Sequence, residues 1–157
     1  MRLLKEAAFA AALTLSSLYL IATGQAHGAT LGNLVIEHPW SRETAAAADV
    51  GAGFMTITNN GAEDDRLIGA TAEISGMVQL HNMKMENDLM TMFEMTEGIA
   101  VPAGQTIELK PKSLHVMFMG LTAHPRMGDA FKGTLTFEKA GTVAVEFAVE
   151  AADAGMQ

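Results

Sequence analysis

The sequence of 157 residues contains no cysteine and is short of positive charge, with 10 Lys and Arg against 18 Asp and Glu. The absence of cysteine excludes disulfides, zinc-thiolate sites, thiol nucleophiles and blue-copper centres, because each of these needs a thiolate. The shortage of Lys and Arg argues against a partner nucleic acid, which is bound mostly through cationic contacts with phosphate. Any chemistry must therefore use His, Met, carboxylates or hydroxyls.

Long apolar runs are scarce, and the exception lies at the amino terminus. Arg2 and Lys5 precede an apolar stretch over residues 7–22, which small residues follow up to Ala26. This pattern predicts a signal peptide over residues 1–26, with cleavage after Ala26 or a few residues to either side. The stretch is shorter than the roughly 20 residues that span a membrane. We therefore expect a periplasmic or otherwise exported protein with one domain, residues 27–157, and no stable membrane insertion after cleavage.

Short apolar or alternating segments recur along the rest of the chain, separated by turn-forming residues. They are Leu34–Ile36, Gly53–Thr58, Arg66–Thr71, Met77–Met85, Leu89–Met95, Thr106–Leu109, His115–Leu121, Gly133–Phe137 and Thr142–Glu150. No long helical period competes with them, and the alanine run 45–48 is interpreted as a loop. The pattern predicts an all-β, antiparallel domain, either a sandwich or a barrel.

Methionine is abundant: the chain has 12, and five of them lie within residues 81–95. If Asn87 and Asp88 form a two-residue hairpin turn, residues whose numbers sum to 175 lie opposite each other. One face of the hairpin then collects His81, Met83, Met85, Met90 and Met92. In a second segment, the same period of two places His115, Met117 and Met119 on one side of a strand.

Imidazole and thioether groups form a soft, neutral ligand set, and thioethers select Cu(I) over the cations that carboxylates prefer. Methionine alone is more often core filler, because its flexible side chain adapts to irregular gaps. Two histidines in register with separate methionine groups favour a metal site, since an apolar core rarely accepts unpaired imidazoles. The residues therefore predict a copper site, with core packing as the alternative.

The order of these residues resembles a known family. His81, ten residues, Met92, twenty-two residues, His115, one residue and Met117 are similar to the His-x10-Met-x21/22-His-x-Met signature of the PCuAC family of periplasmic copper chaperones. The likeness covers most of residues 34–150, and it includes the segments Glu37–Arg42, Gly53–Ile57, Asp65–Leu67 and Met117–Leu121.

The resemblance implies a single-domain, cupredoxin-like, antiparallel Greek-key β-sandwich. The sequence shows no acid pair at a recognisable spacing and no Ser with an identifiable His partner, so we expect the protein not to be an enzyme. The resemblance also implies that one Cu(I) is held by His81, Met92, His115 and Met117. The ion would be delivered to an acceptor protein, either the CuA site of cytochrome c oxidase or another periplasmic copper protein. Four further methionines either serve as auxiliary sulfurs or form an apolar collar, namely Met83, Met85, Met90 and Met119.

Two alternatives stay open from the sequence. One is a copper-dependent oxidoreductase that uses His27 as an amino-terminal ligand, a residue that would also chelate Cu(II) if cleavage follows Ala26. The other is a metal-free interaction sandwich whose methionine-rich face binds an apolar partner. We expect His38 to be structural, His124 to be solvated in a turn and Trp40 to be a core anchor.

Overall fold

The computed structural model describes residues 28–156, so the predicted signal peptide and His27 lie outside the described residues. Within that range every regular element is a strand. The strands are β1 (Ala29–Leu31), β2 (Leu34–Arg42), β3 (Val50–Asn59), β4 (Asp65–Ala72), β5 (Ser75–Glu86), β6 (Leu89–Glu94), β7 (Ile99–Val101), β8 (Thr106–Leu109), β9 (His115–Leu121), β10 (Ala130–Phe137) and β11 (Gly141–Glu150). The described residues include no helix long and apolar enough to cross a membrane. The all-β prediction is confirmed, as is the loop at residues 45–48.

The strands join into one sheet in the order β6-β5-β9-β3-β2-β11-β10-β4-β7, with β1 added to β2 and β8 added to β3. Neighbours such as β5 and β9 are distant in sequence, as in a Greek-key arrangement. The pairings are antiparallel with one exception, the parallel ladder in which Trp40 of β2 faces Ala148 of β11.

The sheet folds over on itself around an apolar core. Phe118 of β9 meets Phe131 of β10 and Phe147 of β11 edge to face, each with ring centroids 5.4 Å apart. All three rings are buried, and each contributes about 1.5–3 kcal/mol through removal from water. The sandwich therefore rests on contacts between strands that are far apart in the sheet order.

Strand alternation in β9 decides which side chains face this core. Val116 and Phe118 are fully buried in it, and the intervening residues point to the other side of the sheet because successive side chains alternate. Those residues are His115, Met117 and Met119, as the sequence predicts. The histidine and methionine side chains thus lie on the face opposite the aromatic core.

Candidate metal centre

The β5–β6 hairpin has the predicted register. Met85 lies opposite Met90, Met83 opposite Met92, and His81 opposite Glu94. Asn87 and Asp88 both have left-handed backbones, with φ of 49° and 63°, which are the signs that a two-residue type I′ turn requires. The turn therefore fixes which residues share the methionine face.

The β5–β9 ladder places the His115–Met119 segment of β9 next to the hairpin. His81 lies opposite His115, and Gln79 lies opposite Met117. The two imidazole rings are 5.7 Å apart between centroids, inclined at 64°. Three neighbouring strands, β6, β5 and β9, thus bring together the predicted site residues from two distant parts of the sequence.

The ring of His115 is held in one orientation and one tautomer. It is only 5% exposed, and its Nδ1 donates a hydrogen bond of 2.8 Å to the carbonyl oxygen of Ser113. A neutral imidazole with a proton on Nδ1 has its lone pair on Nε2. That Nε2 atom lies 3.3 Å from the sulfur of Met92, so nitrogen and sulfur lone pairs are presented side by side.

His81 has the opposite arrangement. Its Nε2 lies 2.8 Å from Oε1 of Gln79 and donates to it, which leaves the lone pair on Nδ1. This Nδ1 is buried and has no hydrogen-bond partner. A buried polar atom without a partner costs about 1–3 kcal/mol. A metal ion that accepts this lone pair would remove that cost.

The charge state of His81 also favours a ligand role. Burial lowers the pKa of His81 from its ordinary value of 6.5, and the neighbouring His115 lowers it further, whereas Glu94 acts in the opposite direction. A lowered pKa means that the imidazole is neutral, with a free lone pair, at neutral pH. The ring is therefore ready to bind a cation without first losing a proton.

A cleft of about 260 Å³ opens beside these residues. It is lined by Arg42, Ala52, Phe54, Met83, Met92, Pro111, Lys112, His115, Met117, Gly155 and Met156. Met92, His115 and Met117 thus share one cleft, while His81 lies outside its lining and reaches the group through its contact with His115. Met83 and Met156 line the same cleft.

Phe54 and Met156 also line this cleft, and sequence reasoning assigns neither of them to the site. Phe54 packs between Trp40 and His115, with centroid distances of 4.6 Å and 6.4 Å. Met156 is held near the cleft because Arg42 donates a 2.8 Å hydrogen bond from Nε to the carbonyl of Ala154. Met156 has no spacing relation to the other methionines, so no sequence signal points to it.

The remaining candidates lie elsewhere. His38 is bound to Glu150 at 2.6 Å, outside the cleft, as expected of a structural residue. The expectation for His124 is wrong: it is half-buried, and its Nε2 lies 2.7 Å from the carbonyl oxygen of Ala48. Trp40 is also only half-buried, packed on Phe54, because the β2 bulge at Glu37–Trp40 turns it away from the core.

The donor set decides which ion the arrangement can hold. Among residues 28–156, no group of three or more His, Asp or Glu could hold a metal ion. The groups that do converge are two imidazoles and several thioethers, which are soft and uncharged. Such a set suits Cu(I) and fits poorly with Mg²⁺ or Ca²⁺, which need oxygen ligands.

Comparison with known proteins gives matches over most of the chain. Residues 34–149 match the model of the family described as "Putative lipoprotein LpqE-like". A protein named "Putative lipoprotein Lxx21020" from Leifsonia xyli subsp. xyli is 32% identical over 152 residues, which cover 95% of this chain and 90% of that protein.

Solved structures match the fold. The copper-bound PCuAC domain of PmoF2 superposes with a TM-score of 0.69 at 30% identity, covering 80% of this chain and 98% of that domain. The solution structure of apo-DR1885 from Deinococcus radiodurans gives a TM-score of 0.60 at 22% identity and covers 96% and 97% of the two chains. The chain therefore belongs to the LpqE-like family, and its domain is a cupredoxin-like β-sandwich of the PCuAC type.

Proposed function

We propose that this protein is an exported copper chaperone that binds one Cu(I) through His81, Met92, His115 and Met117. The observation that carries the proposal is the 3.3 Å approach of His115 Nε2 to the sulfur of Met92. The ring of His81, whose Nδ1 atom is buried without a partner, lies 5.7 Å from the His115 ring between centroids. Two imidazole rings and a thioether are thus close neighbours.

The chemistry of these groups favours binding and release over redox turnover. All four ligands are neutral, so they stabilise the monovalent ion, and none is a thiolate of the kind that blue-copper centres use. Gln79 and Ser113 fix the two imidazole tautomers, which is the usual role of groups behind metal-bound histidines. Met92 is 43% exposed, so an incoming ligand from an acceptor can reach the ion and replace this sulfur.

The similar proteins support two parts of this proposal, namely that the bound metal is copper and that the protein is exported. The PmoF2 domain, 30% identical, has been solved with copper bound. Both the family description and the Leifsonia protein name contain the word lipoprotein, a class of exported cell-envelope proteins. The sequence of this chain contains no cysteine, the residue to which thioether-linked lipids attach. We place the protein in the periplasm on the predicted signal peptide and its resemblance to PCuAC proteins.

The experiment that tests the site is a competition titration of the purified protein against a Cu(I) chelator. We expect one tight equivalent in the wild type and weaker binding in each of His81→Ala, Met92→Leu, His115→Ala and Met117→Leu. The matched control is Met127→Leu, because Met127 is 64% exposed and lies outside the metal-site strands. Wild-type affinity in all four variants would overturn the ligand assignment.

Two further readouts separate this function from the alternatives. A ligand that binds the native state must raise its melting temperature, so a melting temperature unaffected by Cu(I) would favour a metal-free interaction domain. Sustained peroxide production with copper and a reductant would favour an oxidoreductase that uses His27. We expect a raised melting temperature and no turnover.

The acceptor we propose is the CuA site of cytochrome c oxidase, on the resemblance to PCuAC proteins. Cu(I)-loaded protein mixed with the copper-free CuA domain should lose its copper, and the absorption of a CuA centre should appear under suitable redox conditions. If copper stays on the chaperone while a chelator still removes it, the acceptor is another periplasmic copper protein.

A further inference from the structure

Beyond the four proposed ligands, the hairpin carries a methionine pair near its turn that core packing does not explain. Met85 is 62% exposed and Met90 is 43% exposed. These side chains gain little from burial, since the hydrophobic contribution scales with the apolar area removed from water. Packing against the core therefore does not account for the two methionines at these positions.

The pair is arranged so that both sulfurs can reach one ion. Met85 and Met90 are direct partners across the β5–β6 ladder, and directly opposed side chains have Cβ atoms about 4.5–5.5 Å apart. Each methionine side chain is unbranched and has three rotatable bonds. Two thioethers can thus bind one soft monovalent cation from opposite sides.

The pair is also continuous with the central site. On the same face, the next cross-strand pair is Met83 and Met92, and His81 with its partner His115 follows it. Successive residues on one face of a strand are about 7 Å apart. Met83 lines the cleft that holds Met92, His115 and Met117, so sulfur atoms extend from the hairpin tip to the imidazoles.

Two charged residues next to the methionine pair, Lys84 and Glu86, lie on the other face of the hairpin. Lys84 forms an ion pair of 2.9 Å with Glu86, and its Nζ lies 5.6 Å from the centroid of the Phe93 ring. These three residues alternate with the methionines and so point away from them. Their contacts help to hold the register and keep both charges away from the Met85–Met90 pair. The carboxylate of Glu94 is on the methionine face, but it lies opposite His81, two cross-strand pairs away from Met85 and Met90.

We infer that Met85 and Met90 form a second, weaker soft-metal site at the hairpin tip, through which Cu(I) enters and leaves the central site by way of Met83. The inference rests on the proposed function, because it adds a loading route to that site. Transfer between successive pairs is ligand exchange: one Cu–S bond forms as another breaks, with no change in oxidation state.

Ag(I), a redox-inert soft monovalent ion, is the probe for this site. The protein is labelled with ¹³C at its methionine methyl groups, and Ag(I) is added stepwise. We expect the Met92 and Met117 signals to shift with the first equivalent. The Met85 and Met90 signals should shift together in a second phase, and the Met127 signal should stay in place.

The double variant Met85→Leu/Met90→Leu keeps the apolar surface and removes the two sulfurs, and Met127→Leu is its matched control. We expect the double variant to lose the second phase, keep the affinity of the first and load Cu(I) more slowly from a chelator. Unmoved Met85 and Met90 signals in the wild type, or an unchanged loading rate in the double variant, would overturn the inference.

Failure of the proposed function would look different. In that case the first phase would be missing at Met92 and Met117, whatever Met85 and Met90 do. An intact first phase without a second phase would leave the central site standing and remove only the tip site.

Discussion

The Nε2 atom of His115 lies 3.3 Å from the sulfur of Met92, although the two residues are 23 positions apart in the chain. Two strand registers produce this contact: the hairpin sets Met92 opposite Met83, and the β5–β9 ladder sets His115 opposite His81. A slip of one residue in either ladder would move one partner to the other face of the sheet. The site therefore depends on register as much as on composition.

Met92→Leu tests the sulfur in this contact. Leucine keeps the apolar volume and removes the thioether. Loss of a residue that only supports a metal ligand already weakens binding about 10- to 100-fold, so loss of a ligand itself should lower Cu(I) affinity by at least about tenfold. Because Met92 is 43% exposed, the free energy of unfolding of the copper-free protein should change by less than about 0.5 kcal/mol. Chelator competition and chemical denaturation measure the two quantities, and unchanged affinity would contradict the assignment.

Gln79 is a positioning residue that acts through His81. Its Oε1 accepts the Nε2 proton of that ring at 2.8 Å, which keeps the lone pair on Nδ1. Gln79→Leu removes the acceptor, and we expect about 10- to 100-fold weaker Cu(I) binding, the usual cost of losing such a partner. The ¹⁵N shifts of the His81 ring, recorded without copper, should show that the tautomer is no longer fixed.

Gln79→Glu is the matched control, because a carboxylate also accepts this proton. It should keep the Nε2-protonated tautomer of His81, and its Cu(I) affinity should be closer to that of the wild type than to that of Gln79→Leu. Equal losses in the two variants would show that Gln79 acts by packing and not through this hydrogen bond.

The hairpin face could be predicted from sequence because its information is local. Strand alternation and a two-residue turn determine every pair from His81 to Met92, and the turn residues have the backbone that such a turn needs. The nine longer strands were likewise predictable from their period and from the turns between them. The three-residue strands β1 and β7 were not, since so few residues carry no period.

The features of the site that could not be predicted from the sequence depend on long-range packing. The contact of Phe54 with His115 needs the path of β3 across the sheet, and the approach of Met156 needs the hydrogen bond from Arg42 to Ala154. The solvated state expected for His124 failed for the same reason: its partner is a carbonyl 76 residues away. Local patterns do not contain these pairings.

Gly133 in β10 lies where strands β10 and β4 pack too closely for a side chain, and a substitution there tests this packing. A Cβ atom there would lie 2.3 Å from the carbonyl oxygen of Thr71 and 3.0 Å from the Phe147 ring. Backbone must then move, so we expect Gly133→Ala to lower the free energy of unfolding by about 1–3 kcal/mol, as overpacking does. Gly69→Ala, in the facing strand β4, is the control, since nothing lies within 4 Å of its added Cβ. Equal effects of the two changes in chemical denaturation would contradict this packing.

The imidazole of His81 should titrate below the ordinary range of a histidine. Burial and the neighbouring His115 lower its pKa below 6.5, and Glu94 opposes them. We therefore expect the ring of His81, followed by NMR in the copper-free protein, to titrate with a midpoint below 6.5. Glu94→Gln removes the group that raises the pKa, so the midpoint should move further down, whereas Glu86→Gln, on the other face of the hairpin, should leave it in place.

The same shift predicts how acid affects Cu(I) binding through this ligand. Above its lowered pKa, His81 is neutral and no proton competes for Nδ1, so this residue adds no pH dependence. Below that pKa, one proton must leave before the nitrogen can bind, and the affinity falls by about tenfold per pH unit. Glu94→Gln should therefore shift the onset of the His81-dependent loss to lower pH. A shift to higher pH would mean that the carboxylate assists copper binding in some way other than through the charge on this imidazole.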